Sequence, residues 1–141
     1  MTNKQPLRLL IVEDQPVVAD AVRQLINDQP DMVVVGTAGS VAESVSCVTQ
    51  LHPDIVLLDF RLPDGSGADA GTGIRQIQPE ARLIFLTRDD RRSARIAAFN
   101  VGAKAFIHKS KAATELVPTI RVVAAGGSLL QPPMTGKGVD W

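Results

Sequence analysis

The chain has one cysteine, one tryptophan, no tyrosine and two histidines among its 141 residues. A single thiol, Cys47, excludes an internal disulfide and a cysteine-rich metal site. Its apolar setting predicts a buried thiol on a helix. No sign of charge predominates: Lys+Arg and Asp+Glu both total 15, a formal net charge of zero. That balance argues against the chain binding nucleic acid by itself, because such proteins carry a basic excess. No apolar run approaches the roughly 20 residues that span a bilayer. The polar start, Met1 to Pro6, lacks the core of a signal peptide, so a cytoplasmic protein is expected. What remains is 45% hydrophobic and 21% charged, the composition of one globular domain with a core of its own.

The chain is organised around Ile55-Val56-Leu57-Leu58-Asp59, followed by a turn at Pro63-Asp64-Gly65. An unbroken apolar run of this length, closed by turn residues, reads as a strand buried on both faces. A carboxylate has no place inside such a strand, so Asp59 belongs at its carboxyl end. In open parallel sheets that edge is where ligands bind.

Similar runs precede and follow it. Leu7 to Val12 ends in Glu13-Asp14, and Pro16 suits the first turn of a helix whose apolar residues run from Val17 to Ile26. Met32 to Val35 predicts a second strand, stopped by Gly36. Ser40 and Glu43 form a capping-box pair opening a helix through Leu51. After the central strand comes a segment, Ser66 to Gln78, weakened by Gly67, Gly71 and Gly73, each costing about 1 kcal/mol in a helix interior. A short, frayed or mobile helix is expected there. Leu83 to Leu86 is a fourth strand ending in Thr87. Asp89 or Asp90 would cap the next helix, which runs through Val101 and stops at Gly102. Ala105-Phe106-Ile107 is a fifth strand, followed by His108-Lys109. A last helix runs from about Thr114 to Ala125, with Pro118 in or just after its first turn. Residues 131–141, rich in Pro and Gly, read as a linker or tail behind a domain of residues 1–130. Five β-α units imply a parallel sheet with helices on both faces.

In such a sheet the strand ends share one edge. Glu13, Asp14, Asp59, Thr87 and Lys109 therefore become neighbours. Clustered carboxylates repel unless a cation relieves them. A hard divalent ion such as Mg²⁺ fits carboxylates, a backbone carbonyl and water. Lys109 adds a point charge suited to a phosphoryl oxygen or to Asp59. A carboxylate can attack phosphorus to give an aspartyl phosphate, and phosphoryl transfer needs positioning and charge neutralisation more than acid-base groups. Neither His52 nor His108 is placed to act; His108 reads as a solvated strand-end residue.

Five segments in order carry a family resemblance: Val12-Glu13-Asp14, Leu58-Asp59, Leu62-Pro63-Asp64-Gly65, Leu86-Thr87, and Gly102-Ala103 through Phe106 to Lys109. Together they resemble the response-regulator receiver domain of two-component signalling, over about residues 7 to 130. The resemblance implies a flavodoxin-like (βα)5 fold with strand order 2-1-3-4-5. It implies that Asp59 is the phosphoacceptor, with Glu13, Asp14, Asp59 and the backbone carbonyl of Arg61 holding Mg²⁺. Thr87 becomes the switch hydroxyl, Lys109 the active-site lysine and Phe106 the rotating aromatic. The partner is a sensor histidine kinase. Self-phosphorylation and autodephosphorylation are expected rather than turnover of a separate substrate. Phosphorylation would shift the surface formed by the helix after Asp90, the fifth strand and the last helix, which dimerises or meets an output partner. The wording around Leu62 to Gly65 and the ending Ile120 to Gly127 are most similar to regulators with a LuxR-type DNA-binding module. On that reading DNA is contacted only through a further domain that this sequence does not carry, and the proline-bearing tail resembles a severed linker.

Two positions depart from the family pattern. Arg88 follows Thr87, where the family prefers a small residue, and Arg61 places a second guanidinium beside the pocket. Arg88 would either pair with Asp59 and shield the phosphoryl group, or swing out to Asp89 or Asp90. The arginines lend weight to an alternative, a receiver-like interaction module that works without phosphorylation. A Mg²⁺ phosphatase with an aspartyl nucleophile fits less well, because position 61 is Arg where that family carries a second Asp.

Overall fold

The computed structural model describes residues 5–131. The predicted tail at 131–141 falls outside these, apart from Gln131. The elements follow in the order β1 (Leu7–Val12), α1 (Pro16–Asn27), β2 (Met32–Ala38), α2 (Val41–Leu51), β3 (Ile55–Leu58), β4 (Arg61–Leu62), β5 (Gly65–Ser66), α3 (Gly67–Ile77), β6 (Arg82–Thr87), α4 (Arg92–Asn100), β7 (Ala105–His108), a 3-10 turn (Lys109–Lys111) and α5 (Ala112–Ala124). The five long strands form one sheet ordered β2-β1-β3-β6-β7, parallel at every pairing. With the two-residue hairpin β4-β5 set aside, this is the expected 2-1-3-4-5 order.

Strand residues alternate between two cores because successive side chains point to opposite faces. Leu9, Ile11, Ile55, Leu57, Ile84 and Leu86 pack against Val22 and Ile26 of α1 and Leu116 and Ile120 of α5. Leu10, Val12, Val56, Leu58, Leu83 and Phe85 face Val48 of α2, Ile74 of α3 and Ala98 of α4. Burial on both faces explains why β3 reads as an unbroken apolar run, with all four residues buried.

Five local expectations are corrected. Strand β2 continues past Gly36 to Ala38, and a register shift between Leu9 and Leu10 absorbs the irregularity. Helix α3 is a regular helix of 11 residues opened by a Ser66–Asp69 capping box. Its glycines lie where neighbours press close: a Cβ on Gly67 would clash with the Asp59 carbonyl oxygen and stand 2.8 Å from Phe85 Cε2. Helix α4 starts after Arg91 without a side-chain cap, so neither Asp89 nor Asp90 caps it. Pro118 sits inside α5, which begins earlier than expected and follows the 3-10 turn. Cys47 lies on α2 as predicted but is half-buried. Gly102, at φ 85°, follows α4 in the left-handed conformation. No helix among the described residues is long and apolar enough to cross a membrane.

Candidate functional site

Parallel pairing brings the strand ends to one edge. The Asp59 amide donates to the Val12 carbonyl at 3.0 Å, and the Glu13 amide to Ala38 at 2.8 Å. The ladder thus runs one residue past each strand and fixes the backbone beneath both carboxylates. Asp59 and Glu13 are buried, whereas Asp14 is exposed. Each of the three offers a carboxylate oxygen, all within 4.8 Å of one another.

Lys109 reaches this cluster from the end of β7. Its Nζ donates to Asp59 Oδ2 at 2.8 Å and lies 2.7 Å from Glu13 Oε1. The second Glu13 oxygen accepts from the Gln15 amide at 3.1 Å. Burial pushes the Glu13 carboxyl above its ordinary range, the Asp59 charge adds to this, and the bond from Lys109 opposes it. Burial pulls the Lys109 ammonium down, but its bonds to Asp59 and Glu13 outweigh that and hold it above the ordinary lysine range.

Thr87 ends β6, buried, and its Oγ1 accepts from the Asp89 amide at 3.1 Å. That arrangement leaves the hydroxyl proton available to donate. Asp14, Asp59, Arg61, Thr87 and Lys109 line a single cavity of about 520 Å³. Phe106 stands outside this cavity. Its ring stacks on Phe85 at 6.2 Å, and the Arg95 guanidinium lies 4.7 Å from its centroid. His108 caps the 3-10 turn, accepting from the Ser110 amide at 3.1 Å.

Arg88 pairs with none of Asp59, Asp89 and Asp90 among the described residues. It is exposed at the cavity rim, while the Asp89 carboxylate is taken by Arg91 at 2.7 Å and Arg61 at 3.4 Å. The buried Asp89 is the polar residue that sequence reasoning missed. In the sequence it reads as a helix cap or a partner for Arg88, and nothing in its spacing marks it as the anchor of Arg61 and Arg91. Asp64 was also read only as a turn residue, yet its carboxylate accepts from the Val41 and Ala42 amides at 2.7 and 3.1 Å. It thereby fastens the loop after Asp59 to the start of α2.

The chain matches the response regulator receiver domain family over residues 9–121. It is 35% identical to the DNA-binding transcriptional activator DevR/DosR of Mycobacterium tuberculosis, over 88% of this chain and 57% of that protein. It is 30% identical to the uncharacterized transcriptional regulatory protein YxjL of Bacillus subtilis, over 96% of this chain and 62% of that protein. The chain therefore spans about three-fifths of the length of these curated relatives. Among solved structures it is similar to a two-component response regulator of the LuxR family from an Aurantimonas species. The TM-score there is 0.83 at 32% identity, covering 88% of this chain and 89% of that one.

Proposed function

The chain belongs to the response-regulator receiver domain family, and from that premise we propose that Asp59 is its phosphoacceptor. The supporting observation is the bridge of Lys109 between Asp59 and Glu13, in one cavity with Asp14 and Thr87.

Three carboxylates within 4.8 Å form an all-oxygen donor set that suits Mg²⁺. Glu13, Asp14 and Asp59, with the Arg61 backbone carbonyl, would hold the ion. When bound, it neutralises charge as the phosphoryl group approaches. The remaining work falls to the chain itself. Asp59 attacks phosphorus through one carboxylate oxygen as the bond from phosphorus to the donor histidine nitrogen breaks. The electron pair of that bond stays on the imidazole. Lys109 and the Thr87 hydroxyl each donate to a phosphoryl oxygen, charge-assisted bonds worth about 1.5–3 kcal/mol apiece. Together they provide about 3–6 kcal/mol before reorganisation, against the roughly 5.5 kcal/mol that inverts a 1:99 equilibrium. The result is a population shift rather than a complete flip.

Drawing Thr87 inward releases it from the Asp89 amide and opens space toward Phe106. The face of α4, β7 and α5 then changes, and that face forms a homodimer or meets an output domain. The protein acts in the cytoplasm with a sensor histidine kinase as donor. Similarity to transcriptional regulators supports an output in gene control, with DNA bound by a separate domain.

Incubation with acetyl phosphate and Mg²⁺ tests the reading. One added phosphoryl mass, lost in Asp59→Asn, is expected. An unlabelled wild-type chain would leave only the interaction-module alternative.

A further inference from the structure

His108 ends β7, opposite Thr87 in the parallel ladder with β6. The chain turns directly after it into the 3-10 turn Lys109–Lys111. The first amides of such a turn have no partner within it. His108 supplies one: its Nδ1 accepts from the Ser110 amide at 3.1 Å and lies 2.8 Å from Ser110 Oγ. A ring nitrogen that accepts from an amide carries no hydrogen, so the imidazole N–H is at Nε2. The turn is closed behind as well, where the Ala112 amide donates to the Lys109 carbonyl.

Lys109 is therefore held on three sides. The ladder fixes the residue before it, the His108 ring bridges over it to Ser110, and the Ala112 amide holds its carbonyl. Its own side chain cannot supply that order, because a lysine is a compact charge on a flexible four-carbon stem. Yet its Nζ stands 2.7 Å from Glu13 Oε1 and 2.8 Å from Asp59 Oδ2, at the ends of β1 and β3. The place of the ammonium thus depends on where the backbone launches the stem. His108 does not line the cavity around Asp59, so any effect it has there passes through Lys109.

We propose that His108 is a positioning residue for phosphoryl transfer: it caps the turn that carries Lys109 and so sets the ammonium against Asp59 and Glu13. The proposal rests on the phosphoacceptor reading above. The capping atom, Nδ1, is bonded to Cγ. Asparagine has an oxygen on Cγ and can accept from the amide two residues on. Glutamine carries its oxygen one atom further out, at the reach of Nε2, and leucine has no acceptor. Loss of a cap shifts a helix-end equilibrium by about fivefold.

The test is labelling of the intact chain with acetyl phosphate and saturating Mg²⁺ in wild type, His108→Asn, His108→Gln and His108→Leu. His108→Leu and His108→Gln are expected to label about two- to fivefold more slowly, and His108→Asn at close to the wild-type rate. Urea unfolding with and without Mg²⁺ gives a second reading that needs no donor. An ammonium set less firmly between the carboxylates leaves more charge for the ion to neutralise. Mg²⁺ should therefore raise the midpoints of His108→Leu and His108→Gln more than that of wild type, with His108→Asn matching wild type. A merely structural loss lowers the midpoint and leaves the Mg²⁺ increment unchanged. If His108→Leu does not fold, the comparison of His108→Asn with His108→Gln decides. Equal rates in those two variants, or equal Mg²⁺ increments in every protein, would overturn the positioning role and leave Asp59 labelling intact. Absence of labelling in wild type instead removes the phosphoacceptor reading, and the role in transfer with it; the Mg²⁺ increments then still report whether His108 orders Lys109.

Discussion

Lys109 Nζ sits between two carboxylates, 2.8 Å from Asp59 Oδ2 and 2.7 Å from Glu13 Oε1, at a site where all three side chains are largely shielded from water. It acts as the built-in counter-charge of the cluster. Lys109→Met leaves two buried carboxylates facing each other, at a cost of about 1.5–3 kcal/mol at neutral pH. Added Mg²⁺ should then raise the unfolding midpoint of Lys109→Met more than that of wild type, because it restores neutralisation that wild type already has. Urea unfolding with and without Mg²⁺ reads this directly. An equal response in both proteins would mean that Lys109 does not screen the acidic cluster.

Glu13 carries the opposite balance. Its native pKa is raised, chiefly by burial, so the folded state holds the proton more tightly than the unfolded chain does. The stability this confers is present at low pH and is lost as pH rises through the native value. At neutral pH the ionised carboxylate therefore carries a cost. Glu13→Gln keeps one acceptor oxygen, for Lys109 or for the Gln15 amide but not both, removes the charge, and should melt higher than wild type at pH near 7. The advantage shrinks as pH falls through the raised native value and is gone below the ordinary glutamate range. Mg²⁺ should stabilise the variant less than wild type. Melting curves across that pH span decide it, and a variant less stable than wild type at neutral pH contradicts the sign.

The main strands and the five strand-end residues were legible because each rests on a local pattern: an apolar run, then a polar residue where the run stops. Parallel pairing does the rest, and Asp59 and Val12 meet through one hydrogen bond. Three features were illegible for a shared reason. The glycine-bearing α3, the Asp89 anchor and the Asp64 tether to α2 depend on what lies across space, not along the chain. Propensity counts Gly67 as a helix weakness, whereas its lack of a Cβ is what lets α3 approach the Asp59 carbonyl. Asp89 looks like any acid ahead of a helix until Arg61 arrives from another loop.

Gly67→Ala follows from that contact. The added methyl would meet the Asp59 carbonyl oxygen and approach Phe85 Cε2 to 2.8 Å, and both neighbours are fixed in the buried sheet. Ala is the better helix former by about 1 kcal/mol. Overpacking costs about 1–3 kcal/mol, occasionally more, and here the obstacle is backbone. The variant should therefore be less stable by up to about 2 kcal/mol net, with a shifted Asp59 amide resonance. A gain in stability would show that α3 can slide away from the site.

Arg95 rests 4.7 Å from the centre of the Phe106 ring, whose other neighbour is Phe85. On the proposed switch, Phe106 must leave this sandwich when Thr87 moves toward the phosphoryl group. A cation–π contact at a partly exposed site is worth about 0.5–1 kcal/mol, so it weights the resting state by about two- to fivefold. Arg95→Ala removes that weight without touching the cavity. Titration with beryllofluoride and Mg²⁺, followed through Phe106 ring resonances, should reach its midpoint at about two- to fivefold lower concentration in the variant. The midpoint of Mg²⁺ binding alone should not move. A beryllofluoride midpoint that is unchanged, or higher, would mean that Arg95 travels with the ring and favours neither state over the other, or favours the activated one.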